Sequence, residues 1–206
     1  MQEEKIIEFY SLCNRLKNLI RTGWLDVKIQ QDRLESVAEH IYSTQMLAIA
    51  MYSQYHYDID IKKVVFMLAI HEIEEIIIGD LTYKQIDEKS KLEIGHKAVL
   101  EVLKNLEIKD YLTSLIFEFD QKESKESLFA YYCDKLECDL QCKLYCEREN
   151  NEMLAEKWLN NDLNKIGYDE NFTNVLLYAL NNKINNFGII NCCISNTING
   201  WWKRIV

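Results

Sequence analysis

The sequence contains no proline and only six glycines in 206 residues. These are the residues that most often interrupt helices, so long stretches without them favour a helical protein. The apolar fraction is 48%, which is enough to fill one core in a chain of this length. We therefore predict an all-α fold, in which residues 1–206 form a single-domain helical bundle.

Several other features are missing, and each excludes a class of protein. The formal charge is −9 and there is no cluster of lysine and arginine, so we expect no surface that binds a nucleic-acid duplex. No apolar run approaches the ~18 residues of a membrane span. The start MQEEKIIEFY also lacks the basic and apolar pattern of a secretory signal. We expect a cytoplasmic protein that does not bind membranes.

The seven cysteines are an odd number and lack paired C-x-x-C spacing, so neither a disulfide scaffold nor a zinc ribbon is expected. Cys138, Cys142 and Cys146 recur every four residues and share one helical face. One interpretation is a thiolate metal site. The other, which is the commoner use of cysteines in this pattern, is a row of small buried apolar residues.

Apolar periodicity and capping signals divide the chain into helices. The segment SVAE has the form of a capping box, with Ser36 as the N-cap and Glu39 three residues later. The helix that it opens directs His40 inward with its apolar stripe. A second helix is predicted over residues 60–78, with Gly79 as its C-terminal cap.

Ionisable side chains occupy positions where these helices should be apolar. The segment HEIEEIIIGDL at residues 71–81 continues the apolar run VVFMLAI, yet His71 and Glu75 lie on its inward face, with Glu72 beside them. Glu74 is expected to face solvent. Asp134 lies on the inward stripe of a helix predicted at residues 127–149.

Burying several such groups without compensation is unfavourable by several kcal/mol for each group. A divalent cation bound by imidazole nitrogens and carboxylate oxygens would compensate all of them together. This mixture of ligands suits zinc, manganese, cobalt or iron. Two histidines and two carboxylates also leave positions open for water and substrate, as in catalytic metal sites.

Four segments in order along the chain, RTGW, ESVAEH, HEIEEIIIGDLT and CDKLE, resemble the HD-domain phosphohydrolase superfamily, and more narrowly its 5′-deoxynucleotidase branch. The similarity covers residues 10–150 and implies an HD-type helical bundle, with residues 151–206 as peripheral C-terminal helices. It implies one divalent metal ion (Mn, Co, Zn, Fe or Mg) and a small-molecule nucleotide substrate. The implied reaction is hydrolysis of deoxyribonucleoside 5′-monophosphates to nucleoside and phosphate by a homodimer.

The resemblance also assigns roles to individual residues. Glu75 would orient or deprotonate the attacking water, and Asp80 would contact the sugar. Arg21 and Trp24 would lie against the phosphate. The metal ligands would be His40, His71, Glu72 and Asp134.

The chain departs from the family pattern at Glu72, where the pattern has aspartate, and in a slightly longer spacing from Trp24 to His40. Other interpretations are that Arg21 is a surface residue, that Trp24 anchors a loop to the core, and that Asp80 caps a turn through a backbone N–H. At the level of function, the alternatives are an HD-type phosphodiesterase or pyrophosphohydrolase acting on another nucleotide, and a non-catalytic nucleotide-sensing module.

Overall fold

The computed structural model of the protein describes residues 1–82, 84–149 and 166–184. Within these ranges the chain forms helices and no strand, so the all-α prediction is confirmed. An isolated bridge joins Ile20 to Ser36. The helices are α1 (Gln2–Cys13), a 3₁₀ turn (Asn14–Lys17), α2 (Thr22–Asp26), α3 (Val37–Tyr55), α4 (Ile61–Ile70), α5 (Glu75–Ile78), α6 (Glu88–Leu103), α7 (Lys109–Gln121), α8 (Lys125–Glu149) and α9 (Glu170–Asn181).

Helix α3 begins at the predicted capping box. The Glu39 N–H donates to the Ser36 side chain, and the Glu39 carboxylate accepts the Ser36 N–H at 2.9 Å. Two of the N–H groups that a helix start leaves unpaired are thereby satisfied. The buried side chains of α3 recur every three or four residues and include His40, as predicted.

The core lies where α3, α4 and α8 pack against one another. Each of the three presents an apolar stripe to the others: Val64 and Leu68 of α4 and Leu136 of α8 have no exposed surface. Helix α7 packs against α4 and α8, and α6 lies outside α7. His40 on α3 and Asp134 on α8 are therefore held in place by the packing of this core.

The prediction of one helix over residues 60–78 is wrong. Helix α4 ends at Ile70, residues 71–74 form a turn, and α5 follows. The Ile73 N–H donates to the Ile70 carbonyl at 3.1 Å, so the hydrogen bonds there reach back three residues and not four. Adjacent side chains in a regular helix diverge by about 100°. The tighter turn lets His71 and Glu72 approach the same place.

The C-terminal cap at Gly79 is confirmed. Gly79 has φ of 75°, which a residue without a side chain adopts at little cost, and its N–H donates to the Glu75 carbonyl at 3.0 Å.

Helix α9 falls within residues 151–206, where peripheral helices are predicted. It buries Phe172, Leu176 and Ala179 and packs against α8. Residues 151–165 and 185–206 lie outside the described ranges. Across the described helices, none has the length and apolar content that a membrane crossing requires.

Candidate active site

The fold brings together four side chains that are distant in sequence. His40 comes from α3, His71 and Glu72 from the turn after α4, and Asp134 from α8. One potential ligand atom from each lies within 4.8 Å of all the others. Asp134 Oδ1 is 3.0 Å from His40 Nε2 and 3.9 Å from His71 Nε2. Glu72 Oε1 is 3.8 Å from His71 Nε2 and 3.9 Å from His40 Nε2.

This cluster fits a divalent metal ion. His71 Nδ1 pairs with the Leu68 carbonyl oxygen at 2.8 Å, so Nδ1 carries the proton and Nε2 presents a lone pair to the cluster. His71 Nε2 is buried and has no hydrogen-bond partner within the described part of the chain. A buried nitrogen left in this way is unfavourable unless something binds it. Two imidazoles and two carboxylates form a donor set that first-row divalent ions accept.

Both carboxylates of the cluster are ionised, as metal ligands must be. Burial alone would raise the pKa of Glu72, but His71 and Arg21 lower it to about 2. Burial likewise acts against ionised Asp134. The positive charge of Lys135, whose Nζ is 2.8 Å from Asp134 Oδ2, and the hydrogen bond from His40 together outweigh this effect of burial. They hold the pKa of Asp134 well below its usual range.

Glu75 opens α5 directly beside the cluster. The residue is 2% exposed, and neither carboxylate oxygen has a hydrogen-bond partner among the residues that the structure describes. Lys91 Nζ of α6 lies 3.7 Å from Glu75 Oε1. Burial, reinforced by the charges of Glu72 and Asp80, raises the pKa of Glu75 well above its usual range. A carboxyl group in this environment is able to accept a proton near neutral pH.

Arg21 lies at the edge of the cluster and is only 15% exposed, so it is not a surface arginine. Its NH1 donates to Glu72 Oε1 at 3.0 Å and its NH2 to Cys138 Sγ at 3.2 Å. Burial would lower the pKa of Arg21, but Cys138 and Glu72 raise it well above its usual range. The guanidinium is therefore a fixed positive charge with N–H groups to spare.

Asp80 and Trp24 hold the segment that carries Arg21. The Thr22 N–H donates to Asp80 Oδ2 at 2.6 Å, so Asp80 does accept a backbone N–H, although not in its own turn. Trp24 is 2% exposed, and its indole N–H donates to Glu35 Oε2 at 2.9 Å. The Trp24 ring packs edge-on against Tyr145. Its contacts fit the interpretation in which it anchors the loop to the core.

The prediction that Glu74 faces solvent is wrong. Its Oε2 is buried without a partner, and its Cγ lies 3.4 Å from where a Cβ on Gly95 of α6 would be. The stem of Glu74 therefore packs against α6 at Gly95, at ordinary contact distance. Burial and the charge of Glu72 raise the pKa of Glu74 to about 8.

The cysteine row does not form a thiolate cluster with the described residues around it. Cys142 and Cys146 are buried with their sulfur atoms 4.0 Å apart, while Cys138 accepts a hydrogen bond from Arg21. None of the possible metal-binding groups in the described part of the chain contains more than one of them. Small buried residues at helical spacing are the interpretation that fits.

Sequence reasoning missed three charged residues around the cluster. Lys135 pairs with Asp134, Glu137 Oε2 lies 2.6 Å from His40 Nδ1, and Glu35 accepts from Trp24. Glu137 follows Asp134 by three residues, so it shares the inward face of α8. That spacing was the available signal. Lys135 is adjacent to Asp134 in sequence, whereas the contact of Glu35 with Trp24 depends on how the segment between them folds.

Comparison with known proteins gives the family. A family model described as the HD domain matches residues 13–168, well over half of the chain. The chain belongs to the HD-domain family. The match extends beyond the four motifs and includes the helices that hold the metal-binding cluster.

Known members of similar sequence and structure agree with this assignment. The 5′-deoxynucleotidase HDDC2 of Dictyostelium discoideum is 28% identical over 147 residues, which are 68% of this chain and 76% of that protein. The human protein of the same name is 24% identical over 168 residues, 80% of each chain. A conserved hypothetical protein from Pyrococcus furiosus has a TM-score of 0.69 at 25% identity and covers 85% of this chain and 99% of its own.

Proposed function

We propose that this HD-domain protein is a metal-dependent phosphomonoesterase that hydrolyses deoxyribonucleoside 5′-monophosphates to nucleoside and phosphate. The observation that carries the proposal is the metal-binding cluster with a fixed guanidinium, Arg21, on one side and a buried carboxyl, Glu75, on another, whose oxygens have no hydrogen-bond partner among the described residues. The substrate class is supported by the relatives named 5′-deoxynucleotidase.

The cluster of His40, His71, Glu72 and Asp134 would hold one divalent ion, either Mn, Co, Zn, Fe or Mg. When bound, such an ion supplies Lewis acidity, which polarises a phosphoryl oxygen and makes water more acidic. Glu72 reaches the cluster although the family pattern has aspartate there, so its longer side chain is compatible with a ligand role. This is an argument against a sensing module that has lost its metal.

Arg21 would bind the phosphate. The transition state of phosphoryl transfer spreads negative charge over three equatorial oxygens, and a planar guanidinium can contact two of them. Glu72 and Cys138 hold the guanidinium in one orientation without using all of its five N–H groups. The group is therefore oriented before substrate arrives, which removes part of the entropic cost of binding.

Glu75 would act as the general base. It would accept a proton from the attacking water as the oxygen of that water bonds to phosphorus and the bond between phosphorus and the 5′-oxygen breaks. The 5′-oxygen would take up a proton from solvent and leave as the hydroxyl of the nucleoside. Its carboxylate oxygens are free of hydrogen bonds to other protein groups. General bases of this kind contribute about 10²- to 10⁴-fold to rate.

Asp80 would contact a hydroxyl of the deoxyribose, while its bond to the Thr22 N–H keeps the Arg21 segment in place. Trp24 would support the same segment from the core side, and a direct contact with phosphate stays a prediction. A homodimer and a cytoplasmic location complete the proposal, by resemblance to the family. Light scattering of the purified protein tests the dimer.

The experiment is phosphate release from ribo- and deoxyribonucleoside 5′-monophosphates by metal-stripped protein resupplied with manganese, cobalt, zinc, iron or magnesium. We expect metal-dependent release from the deoxy substrates, with a clear preference over the ribo forms. Cyclic nucleotides and nucleoside polyphosphates are included in the same panel. Release from those alone would replace the proposal with a phosphodiesterase or pyrophosphohydrolase. Nucleotide binding without any release would leave a sensing module.

A further inference from the structure

Glu137 makes a buried contact with one of the two histidines of the cluster. Its Oε2 lies 2.6 Å from His40 Nδ1, and the two side chains are 7% and 0% exposed. Glu137 comes from α8, one turn after Asp134, whereas His40 comes from α3. The helix that supplies the carboxylate ligand therefore also holds the imidazole from behind.

The contact determines which nitrogen of His40 faces the cluster. A carboxylate only accepts hydrogen bonds, so the Nδ1 next to Glu137 must carry a proton. By the same argument Nε2, which lies 3.0 Å from Asp134 Oδ1 and 3.9 Å from Glu72 Oε1, carries a proton in the metal-free protein. When that proton leaves, the lone pair is on Nε2, because Glu137 keeps the other proton on Nδ1. This is the tautomer that a metal ligand at Nε2 requires.

The second histidine is oriented by a different group. His71 Nδ1 pairs with the backbone carbonyl of Leu68 at 2.8 Å, and its Nε2 faces the same cluster. Both rings thus have Nδ1 hydrogen-bonded and Nε2 directed to the cluster. A backbone carbonyl carries no net charge, however, while Glu137 brings a carboxylate. Only the His40 side has a supporting group that a side-chain substitution can remove.

Water is kept away from Glu137 by its neighbours. Glu137 is 5% exposed, and Glu35, with its partners Trp24 and Tyr145, forms a second buried group close to it. Burial raises the pKa of Glu35 to about 7, and the negative charge of Glu137 is the second largest cause of this rise. A carboxylate that is this poorly screened acts strongly on the imidazole it contacts.

We infer that Glu137 is a positioning residue that holds His40 in the metal-binding tautomer and orientation, and that it thereby sets the affinity of the site for its divalent ion. The inference deepens the proposed function and rests on its metal assignment. Supporting groups of this kind change metal affinity by about 10- to 100-fold when they are removed. Glu137 would not contact an ion held by His40, His71, Glu72 and Asp134, although Glu137, His40 and Cys138 also lie close enough together to form a possible metal-binding group.

The test compares Glu137→Gln and Glu137→Leu with Asp139→Asn. Gln keeps an acceptor oxygen but not the charge, and Leu keeps neither. Asp139 is a suitable control because it is a buried carboxylate on the same helix whose Oδ2 accepts from the Tyr168 hydroxyl, 3.0 Å away. Zinc affinity is measured by competition with a chromophoric chelator. The visible absorption of the cobalt-loaded proteins reports the environment of the ion, and urea unfolding confirms that each variant folds.

We expect zinc affinity to fall by about 10- to 100-fold in Glu137→Leu and by less in Glu137→Gln, with unchanged affinity in Asp139→Asn. The cobalt spectrum should change in the two Glu137 variants alone. If wild-type protein binds zinc and Glu137→Leu binds it equally well, this inference is overturned while the proposed function stands. Equal losses in the Asp139 variant would also overturn it, because the effect would then be general to buried charge on α8. A wild-type protein that binds neither metal would overturn both.

Discussion

Neutralising Glu75 should stabilise the protein while it abolishes catalysis. In the variant Glu75→Gln the shape of the side chain is kept and its negative charge is removed. The wild-type carboxyl is 2% exposed with both oxygens unpaired. The nearby cation, Lys91 Nζ at 3.7 Å, attracts it by roughly 4 kcal/mol at most, taking an effective dielectric constant of about 20. Burial, reinforced by the charges of Glu72 and Asp80, outweighs this attraction and raises the pKa of Glu75.

The sign of the pH dependence follows from that raised pKa. Between the pKa of Glu75 in the unfolded chain and its higher pKa in the folded protein, the folded protein keeps a proton that the unfolded chain has released. Stability therefore falls as pH rises through this interval. The slope is at most about 1.4 kcal/mol per pH unit, so the wild type loses stability as pH rises above the ordinary pKa of a glutamate, about 4.3, toward neutrality. Glutamine does not titrate. The advantage of Glu75→Gln should therefore be small at the acidic end of this range and should grow toward neutrality.

Glu74→Gln is the matched control. Glu74 is the adjacent residue, has one buried unpaired oxygen, and has a pKa raised to about 8, but its side chain packs against α6 at Gly95 and not in the cluster. Urea unfolding of metal-free protein should show a similar gain in stability for both variants. Phosphate release should fall by about 10²- to 10⁴-fold in Glu75→Gln alone. A Glu75→Gln protein that is less stable than the wild type, or equally active, would refute the reasoning.

Three further substitutions or treatments have defined outcomes. Arg21→Lys should lower kcat/KM by about 10- to 100-fold, since one charged hydrogen bond of about 1.5–3 kcal/mol is lost with the planar fork, and steady-state kinetics on a deoxyribonucleoside 5′-monophosphate measure it. Glu72→Asp should withdraw the carboxylate from Arg21, which lies 3.0 Å from it in the wild type. The free energy of unfolding of the metal-free protein should then fall by about 1–3 kcal/mol, and unchanged stability in urea would contradict the importance of that pair. Metal binding should weaken on acidification, because a proton on His40 must leave before its nitrogen can bind the ion. Burial and Arg21 lower the pKa of His40, but its hydrogen bonds with Asp134 and Glu137 outweigh them and raise this pKa to about 9. Chelator competition across pH measures the effect, and a flat profile would exclude His40 as a ligand.

Much of the fold follows from local signals in the sequence. Ser36 and Glu39 form the capping box because each hydrogen-bonds to the other's backbone, which needs only four consecutive residues. Gly79 ends α5 because it adopts a positive φ. The apolar stripes of α3 and α8 place His40 and Asp134 inward, and the structure brings these two within 3.0 Å.

The parts that were not predicted depend on long-range contacts or on competition between hydrogen bonds. Periodicity continues through residues 60–78, yet the helix stops at Ile70, where side-chain and three-residue backbone bonds replace the regular pattern. The contact of Arg21 with Cys138 joins residues 117 positions apart, and no local pattern encodes it. Glu74 packs against Gly95, which is on another helix, and no local pattern encodes that contact either.

The most direct test of the account measures metal binding and hydrolysis on the same samples. Metal-stripped wild-type protein and Asp134→Asn are titrated with manganese, cobalt or zinc in a calorimeter, and each sample is assayed for phosphate release from a deoxyribonucleoside 5′-monophosphate. The account predicts that release by the wild type rises with occupancy of the site. It predicts that Asp134→Asn, although folded, neither binds the ion tightly nor releases phosphate. Full activity in the stripped protein, or in Asp134→Asn without bound metal, would contradict the account.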